Sequence, residues 1–389
     1  MQRLLRIGFN KFVFSFIPIL VWFLIGIILD PKLANVFSLT YPMQFIYQIL
    51  LSIFATGANI NETKDHQKGA AFSGFLLGTI IGGILFFLVI LNLDTYIVFM
   101  NMEYGEYKEF ALFSLISLYI SLIFGMLMEK LYFANKEKYA NKLMVIFGMI
   151  YLVSLVGMAL LTHDKTQTIV VALLSLTVFT FYSGTRIFKN FNFKLKIHLY
   201  KWFRYESYDI MTNVLMFSIY LFGLSHSIEY GARYMVAINF SSLITDTQWD
   251  SYDAISTAAK IDISNKRFNF KKSLINSYRL LVVLLFSSFV MFMATIRFYE
   301  IDMVVFLVFL AAEMYYFLVY PFIALKVCYL QIEWSPLITT GNKIVALMIR
   351  FLITFLNTPF CLCIGQVIAC TYQLVTYGLI FKKVRKKLR

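Results

Sequence analysis

Apolar segments of about 20 residues alternate with short polar loops along the whole chain. An α-helix of this length is long enough to cross a lipid bilayer. The pattern predicts twelve spans, at 10–29, 34–57, 69–92, 109–129, 143–162, 167–187, 207–227, 233–257, 273–296, 303–325, 343–358 and 361–381. The predicted fold class is therefore an all-α polytopic membrane protein with about 12 transmembrane helices.

The residue composition supports the same class. Of the 389 residues, 60% are hydrophobic and 14% are charged, and the mean hydropathy is +0.74. A soluble chain of this length needs a more polar exterior, so the lipid bilayer is the expected surrounding. The four cysteines lack CxxC spacing, and we expect them to be small buried residues.

The net charge of +14 arises from Lys and Arg that concentrate in alternate loops. Such a distribution sets the topology through the positive-inside rule and does not form a stripe for nucleic acid. Both termini are therefore expected in the cytoplasm, which requires an even number of spans. We expect a monomeric, multi-pass protein of the cell membrane with no nucleic-acid partner.

An internal repeat predicts two lobes. Shifting the chain by 200 residues places the polar, basic corner that starts at Ala58 on the corner that starts at Ala258. With six helices in each half, both repeats begin on the same side of the membrane. We predict an N-terminal six-helix lobe at 1–187, a basic amphipathic cytoplasmic linker at 188–206 and a C-terminal six-helix lobe at 207–389.

The eighth predicted span carries an acidic stripe. Asp246, Asp250 and Asp253 have the spacing i, i+4, i+7 and lie on one face of a helix, which Asn239 and Ser242 extend. Each Asp in the middle of a span costs about 2.5–3.5 kcal/mol, so this face is expected to meet water, a cation or a solute. A second interpretation stays open, in which Asp250 and Asp253 only hydrate a wet inner vestibule.

Two further carboxylates are candidates for cation or proton binding. Glu313 is a lone acid within the apolar tenth span, and a neutral Glu bonded to Tyr315 or Tyr316 is the alternative. The seventh span supplies Asp209 and Asn213 at i, i+4, and pairing of Asp209 with Arg204 or Lys201 at the interface is the alternative.

Other polar side chains are assigned to a solute cleft. Gln44 and Gln48 form a neutral stripe in the second span, where packing between helices is an equally good explanation. Arg350 in the eleventh span either balances a carboxylate or extends to the inner surface.

The sequence contains no P-loop, GxSxG, HExxH or dinucleotide fingerprint. We therefore expect no enzymatic activity, no ATP-driven transport and no cofactor other than Na⁺ or H⁺ as a coupling ion. We expect no metal site other than one for Na⁺ at Glu313.

Two segments resemble multidrug and toxic-compound extrusion (MATE) transporters of the wider flippase superfamily. Lys32–Phe45, KLANVFSLTYPMQF, resembles the start of helix 2 in that family, and Gly231–Leu243, GARYMVAINFSSL, resembles the start of helix 8. The resemblance implies two six-helix lobes that form a V and extrude a solute by Na⁺ or H⁺ antiport. Glu313 takes the place of the family's acid on helix 10, with Asp209 or Asn213 nearest to the acid on helix 7.

The sequence thus predicts a cation-coupled exporter of an organic, cationic solute. Its expected coupling residues are Glu313, Asp246, Asp250, Asp209 and Asn213, and its expected cleft residues are Asp253, Asn239, Ser242, Gln44, Gln48 and Arg350. The alternative is a flippase for a lipid-linked oligosaccharide or polysaccharide, which needs a cationic cleft to hold the phosphate groups of the lipid-linked glycan.

Overall fold

The computed structural model describes residues 2–29, 34–99, 108–189, 195–228, 232–298, 302–356, 358 and 360–387. Within these ranges the chain is helical and has no strand. The helices are α1 Gln2–Ile28, α2 Ala34–Leu51, α3 Ala58–Lys64, α4 Ala70–Leu91, α5 Leu93–Phe99, α6 Lys108–Phe133, α7 Glu137–Leu152, α8 Met158–Thr162, α9 Lys165–Phe188, α10 Leu199–Ile228, α11 Ala232–Ser264, α12 Phe270–Phe298, α13 Met303–Glu333, α14 Pro336–Thr354 and α15 Cys361–Lys387.

Short π-helical segments join some of these helices end to end. Ser52–Gly57 connects α2 to α3, and Val153–Gly157 connects α7 to α8. With these joins, the described ranges contain a long helix for every predicted span, in the predicted order. The all-α, multi-pass membrane class is confirmed.

Eight helices within the described ranges are long and apolar enough to cross a membrane. They are Met43–Lys64, Ala70–Leu91, Lys108–Phe133, Glu137–Thr162, Lys165–Phe188, Met303–Glu333, Pro336–Thr354 and Cys361–Val384.

The predicted ends of the spans are less accurate than their order. Helix α14 begins at Pro336, earlier than the predicted start at residue 343. Pro336 occupies the first helical turn, where its missing N–H costs nothing. Thr339 and Thr340 precede the predicted span and Lys343 is its first residue, but all three are buried within the helix. Similarly, residues 199–206 of the predicted linker belong to α10.

The described chain forms two compact units. One unit contains Val13–Phe203, and the other contains Met1–Phe12 together with Arg204–Arg389. The division between Phe203 and Arg204 falls inside the predicted linker. The first residues of α1 group with the C-terminal unit, whereas the sequence assigned them to the N-terminal lobe.

Ion pairs explain why the start of α1 belongs to the C-terminal unit. Arg3 Nη1 lies 2.6 Å from Asp262 Oδ1, and Lys11 Nζ lies 2.5 Å from Asp253 Oδ2. Both acids are on α11, and Gly8 between the two cations packs against Leu280 of α12.

The unit of Val13–Phe203 is packed through a face of small residues on α4. Gly74, Gly78 and Gly82 recur every four residues, so they share one side of the helix and let neighbouring helices approach closely. A Cβ at Gly74 would overlap the carbonyl oxygen of Phe54 and lie 2.6 Å from the Ala58 Cβ. Close approach between α4 and the α2–α3 helix therefore depends on the missing side chain.

Gly74→Ala should lower the free energy of unfolding by about 1–3 kcal/mol, because the added methyl group overpacks this contact. The matched control is Gly341→Ala on α14, where a Cβ meets nothing within 4 Å. The control should be neutral or stabilising by up to about 1 kcal/mol, since Ala is the better helix former. Unfolding of both variants in detergent micelles measures the difference, and equal stability would contradict the packing.

Candidate functional site

Glu313, in the middle part of α13, is hydrogen-bonded to a tryptophan. Trp249 Nε1 on α11 donates a hydrogen bond to Glu313 Oε2 at 3.0 Å, and both side chains are half-buried. The alternative partner Tyr315 pairs instead with Thr371, at 2.8 Å between their hydroxyl oxygens. The indole bond orients the carboxylate and leaves it able to accept a further donor or a cation.

Aromatic rings surround the tryptophan that donates to this acid. Trp249 packs against Phe317 at 4.4 Å and Tyr316 at 4.5 Å between ring centroids, and Tyr320 meets its edge at 5.3 Å. Ring faces attract organic cations, and a carboxylate among them adds a full opposite charge. We call Glu313, Trp249, Tyr316, Phe317 and Tyr320 the acid–aromatic site.

One face of α11 holds the acid–aromatic site in register. Trp249, Tyr252 and Ser256 have the spacing i, i+3, i+7 and meet α13. The Tyr252 hydroxyl donates to the Phe317 carbonyl at 2.6 Å, and Ser256 pairs with the Tyr320 hydroxyl at 3.1 Å.

Pro321 supplies the acceptor for Tyr252. A proline inside a helix has no N–H, so the carbonyl four residues earlier loses its usual donor. That carbonyl belongs to Phe317, and it takes the hydroxyl of Tyr252 instead. This bond fixes α11 against α13.

Asp253 of the predicted stripe is part of an ion pair. Its partner Lys11 comes from the first helix, at 2.5 Å, and the Asp253 side chain is 45% exposed. The stripe was predicted as acids available to a cation or solute, but the charge of Asp253 is already balanced in the structure.

The remaining polar positions of α11 cannot be placed in the site. The side chains of Asn239, Ser242, Asp246 and Asp250 lie outside the described residues. Their assignments to the coupling site and the cleft stay predictions.

Asp209 belongs to a buried ionic cluster. Lys260 Nζ lies 2.6 Å from Asp209 Oδ2 and 2.6 Å from Glu206 Oε2. The expected partners Arg204 and Lys201 are not the ones that Asp209 uses, and Lys201 instead pairs with Asp65 at 3.3 Å. We call Glu206, Asp209 and Lys260 the α10–α11 cluster.

The α10–α11 cluster has more negative than positive charge. Two carboxylates face one ammonium group, and Glu206 is only 1% exposed. Among the described residues, Glu206 Oε1 is buried without a hydrogen-bond partner. One proton or one monovalent cation balances the cluster. Within the same residues no group of three or more His, Cys, Asp or Glu is arranged to hold a metal.

Asn213, Gln44 and Gln48 are half-buried. Asn213 follows Asp209 by one turn on α10. The two glutamines lie on α2 in the Val13–Phe203 unit, and their place in a cleft stays a prediction.

Arg350 lies inside the C-terminal unit and does not extend to a surface. It is 7% exposed, and its Nη2 donates to Gln366 Oε1 at 3.0 Å. Lys343 lies two turns before Arg350 on the same face of α14 and is 3% exposed. It donates to Gln373 Oε1 at 3.2 Å and lies 5.3 Å from the Tyr208 ring centroid. Within the described residues neither cation has a carboxylate within ion-pair distance.

Sequence reasoning missed Lys260, Lys343 and Trp249. Both lysines stand near predicted loop ends, where a cation is expected to reach water. A signal was nevertheless present, because Lys343 and Arg350 are seven residues apart and share a helix face.

No family model and no curated protein sequence matches the chain. Solved structures do match it over nearly its whole length. A crystal structure of MATE in complex with MaD3S aligns with a TM-score of 0.73 and 15% identity, covering 99% of this chain and 96% of that one. An outward-facing multidrug resistance MATE family transporter of the MOP superfamily aligns with a TM-score of 0.71 and 15% identity, over 99% and 96% of the two chains.

A third structure is a MOP superfamily transporter from Pyrococcus furiosus, described as having a binding pocket of reverse polarity that suggests a different function. It aligns with a TM-score of 0.66 and 15% identity, and covers 98% of this chain and 96% of that chain. The protein therefore has the fold of MATE transporters.

Proposed function

We propose that the protein is a secondary-active exporter that moves an organic solute by alternating access, in exchange for H⁺ or Na⁺. The observation that carries the proposal is the acid–aromatic site, a carboxylate that accepts a hydrogen bond from a tryptophan packed among aromatic rings, inside a helical membrane protein with the MATE fold. Such a site binds an organic cation or a proton but not both at once, and this competition is what antiport requires.

The α10–α11 cluster is proposed as the coupling site. Its surplus negative charge, with Asp209 and Glu206 around Lys260, is balanced when one cation binds. Asn213 on the next turn of α10 supplies a neutral oxygen near this cluster. Asp246 and Asp250 remain proposed members of the coupling machinery, and Asp253, Asn239, Ser242, Gln44 and Gln48 remain proposed cleft residues.

The proposed setting is the cell membrane, with both termini in the cytoplasm and a monomer as the working unit. Alternating loop charge supports this orientation.

A lipid-linked oligosaccharide or polysaccharide flippase is the second candidate function. The observation that favours it is the pair of buried cations Lys343 and Arg350, which among the described residues meet neutral amides. The phosphate groups of a lipid-linked glycan are a suitable counter-charge for such cations.

Glu313→Gln should reduce gradient-driven efflux of a cationic dye from vesicles at least about tenfold, because the neutral amide attracts neither the dye nor a proton. The measurement is ethidium efflux under imposed pH and Na⁺ gradients. Glu333→Gln is the control, since Glu333 is an exposed acid at the end of the same helix. Normal efflux by the Glu313 variant would exclude the proposed role of the acid–aromatic site.

Asp209→Asn should uncouple transport, because the cluster then contains one carboxylate and one ammonium group and needs no further cation. We expect driven dye efflux to fall about tenfold while dye binding to the purified protein is retained. Asp262→Asn is the matched control, since Asp262 lies on the same helix as Lys260 but pairs with Arg3, outside the α10–α11 cluster. If Asp209→Asn keeps the ion dependence of the unmodified protein, the cluster is not the coupling site.

A further inference from the structure

The buried face of α14 carries two cations. Lys343 and Arg350 are separated by two helical turns, or about 10 Å along the axis at 1.5 Å per residue. Both are more than nine-tenths buried. Buried Lys and Arg side chains are rare in proteins unless an anion balances them. Among the described residues, these two meet amides, a thioether and an aromatic ring.

The contacts of Arg350 hold its side chain in place without balancing its charge. Nη2 donates to Gln366 Oε1 at 3.0 Å, and Nη1 lies 3.5 Å from Met216 Sδ, a weak acceptor. Gly365 allows α15 to approach closely, because a Cβ there would lie 3.2 Å from the Arg350 carbonyl oxygen and 3.3 Å from its Cγ. The guanidinium is thus fixed between α14 and α15 by contacts with uncharged groups.

Two buried donors lie beside each other at this position. Arginine has only donors, so the Gln366 amide must present its oxygen to Arg350 and its nitrogen elsewhere. Within the described residues, both Gln366 Nε2 and Arg350 Nε are buried and have no acceptor. A guanidinium with an adjacent amide N–H group suits a ligand that brings two acceptor oxygens and a negative charge.

Glu313 in the same unit is already engaged. Glu313 accepts the Trp249 indole N–H and is not in ion-pair contact with Arg350, although Tyr316 interacts electrostatically with both groups. The guanidinium therefore interacts with the acid–aromatic site through Tyr316, within the same unit.

We infer that Arg350 and Gln366 form a binding site for one oxyanion group, a carboxylate or a phosphate, carried by an amphipathic molecule. Lys343 lies on the same helix face and adds positive potential. As a statement about a transported solute, the inference rests on the proposed function, and it adds that the solute carries an oxyanion. As a statement about binding, it is independent of transport.

Binding is tested with the purified full-length protein in neutral detergent by calorimetric titration. The probes are octyl phosphate, octanoate and octylamine, which share one tail, and inorganic phosphate, which has none. We expect the two amphipathic anions to bind, and Arg350→Gln to weaken octyl phosphate at least tenfold. Lys271→Gln removes an exposed cation of α12 in the same unit and should leave binding unchanged.

Gln366→Glu is the second variant, and it does not depend on the stability of an Arg350 variant. Its carboxylate supplies the missing oxyanion to Arg350 from within the chain. We expect the melting temperature to rise and the affinity for octyl phosphate to fall at least tenfold. A purely structural role for Arg350 predicts the rise in melting temperature but no anion binding in the unmodified protein.

The inference is overturned if neither amphipathic anion binds, or if Arg350→Gln and Gln366→Glu both bind octyl phosphate as the unmodified protein does. If octyl phosphate binds and inorganic phosphate does not, the site is supported and its ligand is lipid-like. If both bind, the site is supported and its ligand is a free anion. If the anions bind but no gradient drives dye efflux, the proposed export function fails and the site stands. If efflux is normal and no anion binds, the site fails alone.

Discussion

Charge held inside an apolar helical protein is the constraint on which the rest of this structure depends. An ionised group away from water costs several kcal/mol unless it is balanced or hydrogen-bonded. The C-terminal unit nevertheless buries Lys260, Lys343, Arg350 and Glu206. These buried groups differ in whether a charged partner balances them.

Lys260 is balanced within the chain, and by more than its own charge. Two carboxylates contact it, so the α10–α11 cluster has one more carboxylate than it has ammonium groups. Lys343 and Arg350 show the opposite imbalance, since their described partners Gln373 and Gln366 are neutral. An excess of acid at one place and of base at another is the charge distribution that the proposed exchange of charged molecules requires.

The two units also differ in the contacts that hold their helices together. The Val13–Phe203 unit relies on glycines of α4 that let helices touch closely, a device of tight and apolar association. In the C-terminal unit, α11 and α13 are instead joined by aromatic rings and by the hydroxyl of Tyr252 on the carbonyl that Pro321 leaves free. The Tyr252 bond fixes α11 against α13, and this places Trp249 of α11 beside Glu313 of α13.

The sequence by itself determined the helical class, the order of the spans and the presence of acids within them, because apolar length and the cost of buried charge are local properties of the chain. It also singled out Glu313 and Arg350. It misjudged the start of α14, because Thr339, Thr340 and Lys343 are polar in composition and only burial against neighbouring helices shows them to be interior. Only the tertiary structure decided the partners: Trp249 for Glu313, Lys260 for Asp209, Lys11 for Asp253 and Gln366 for Arg350. Most of these contacts join residues distant in sequence, and no periodicity along one helix specifies which face of another helix it will meet.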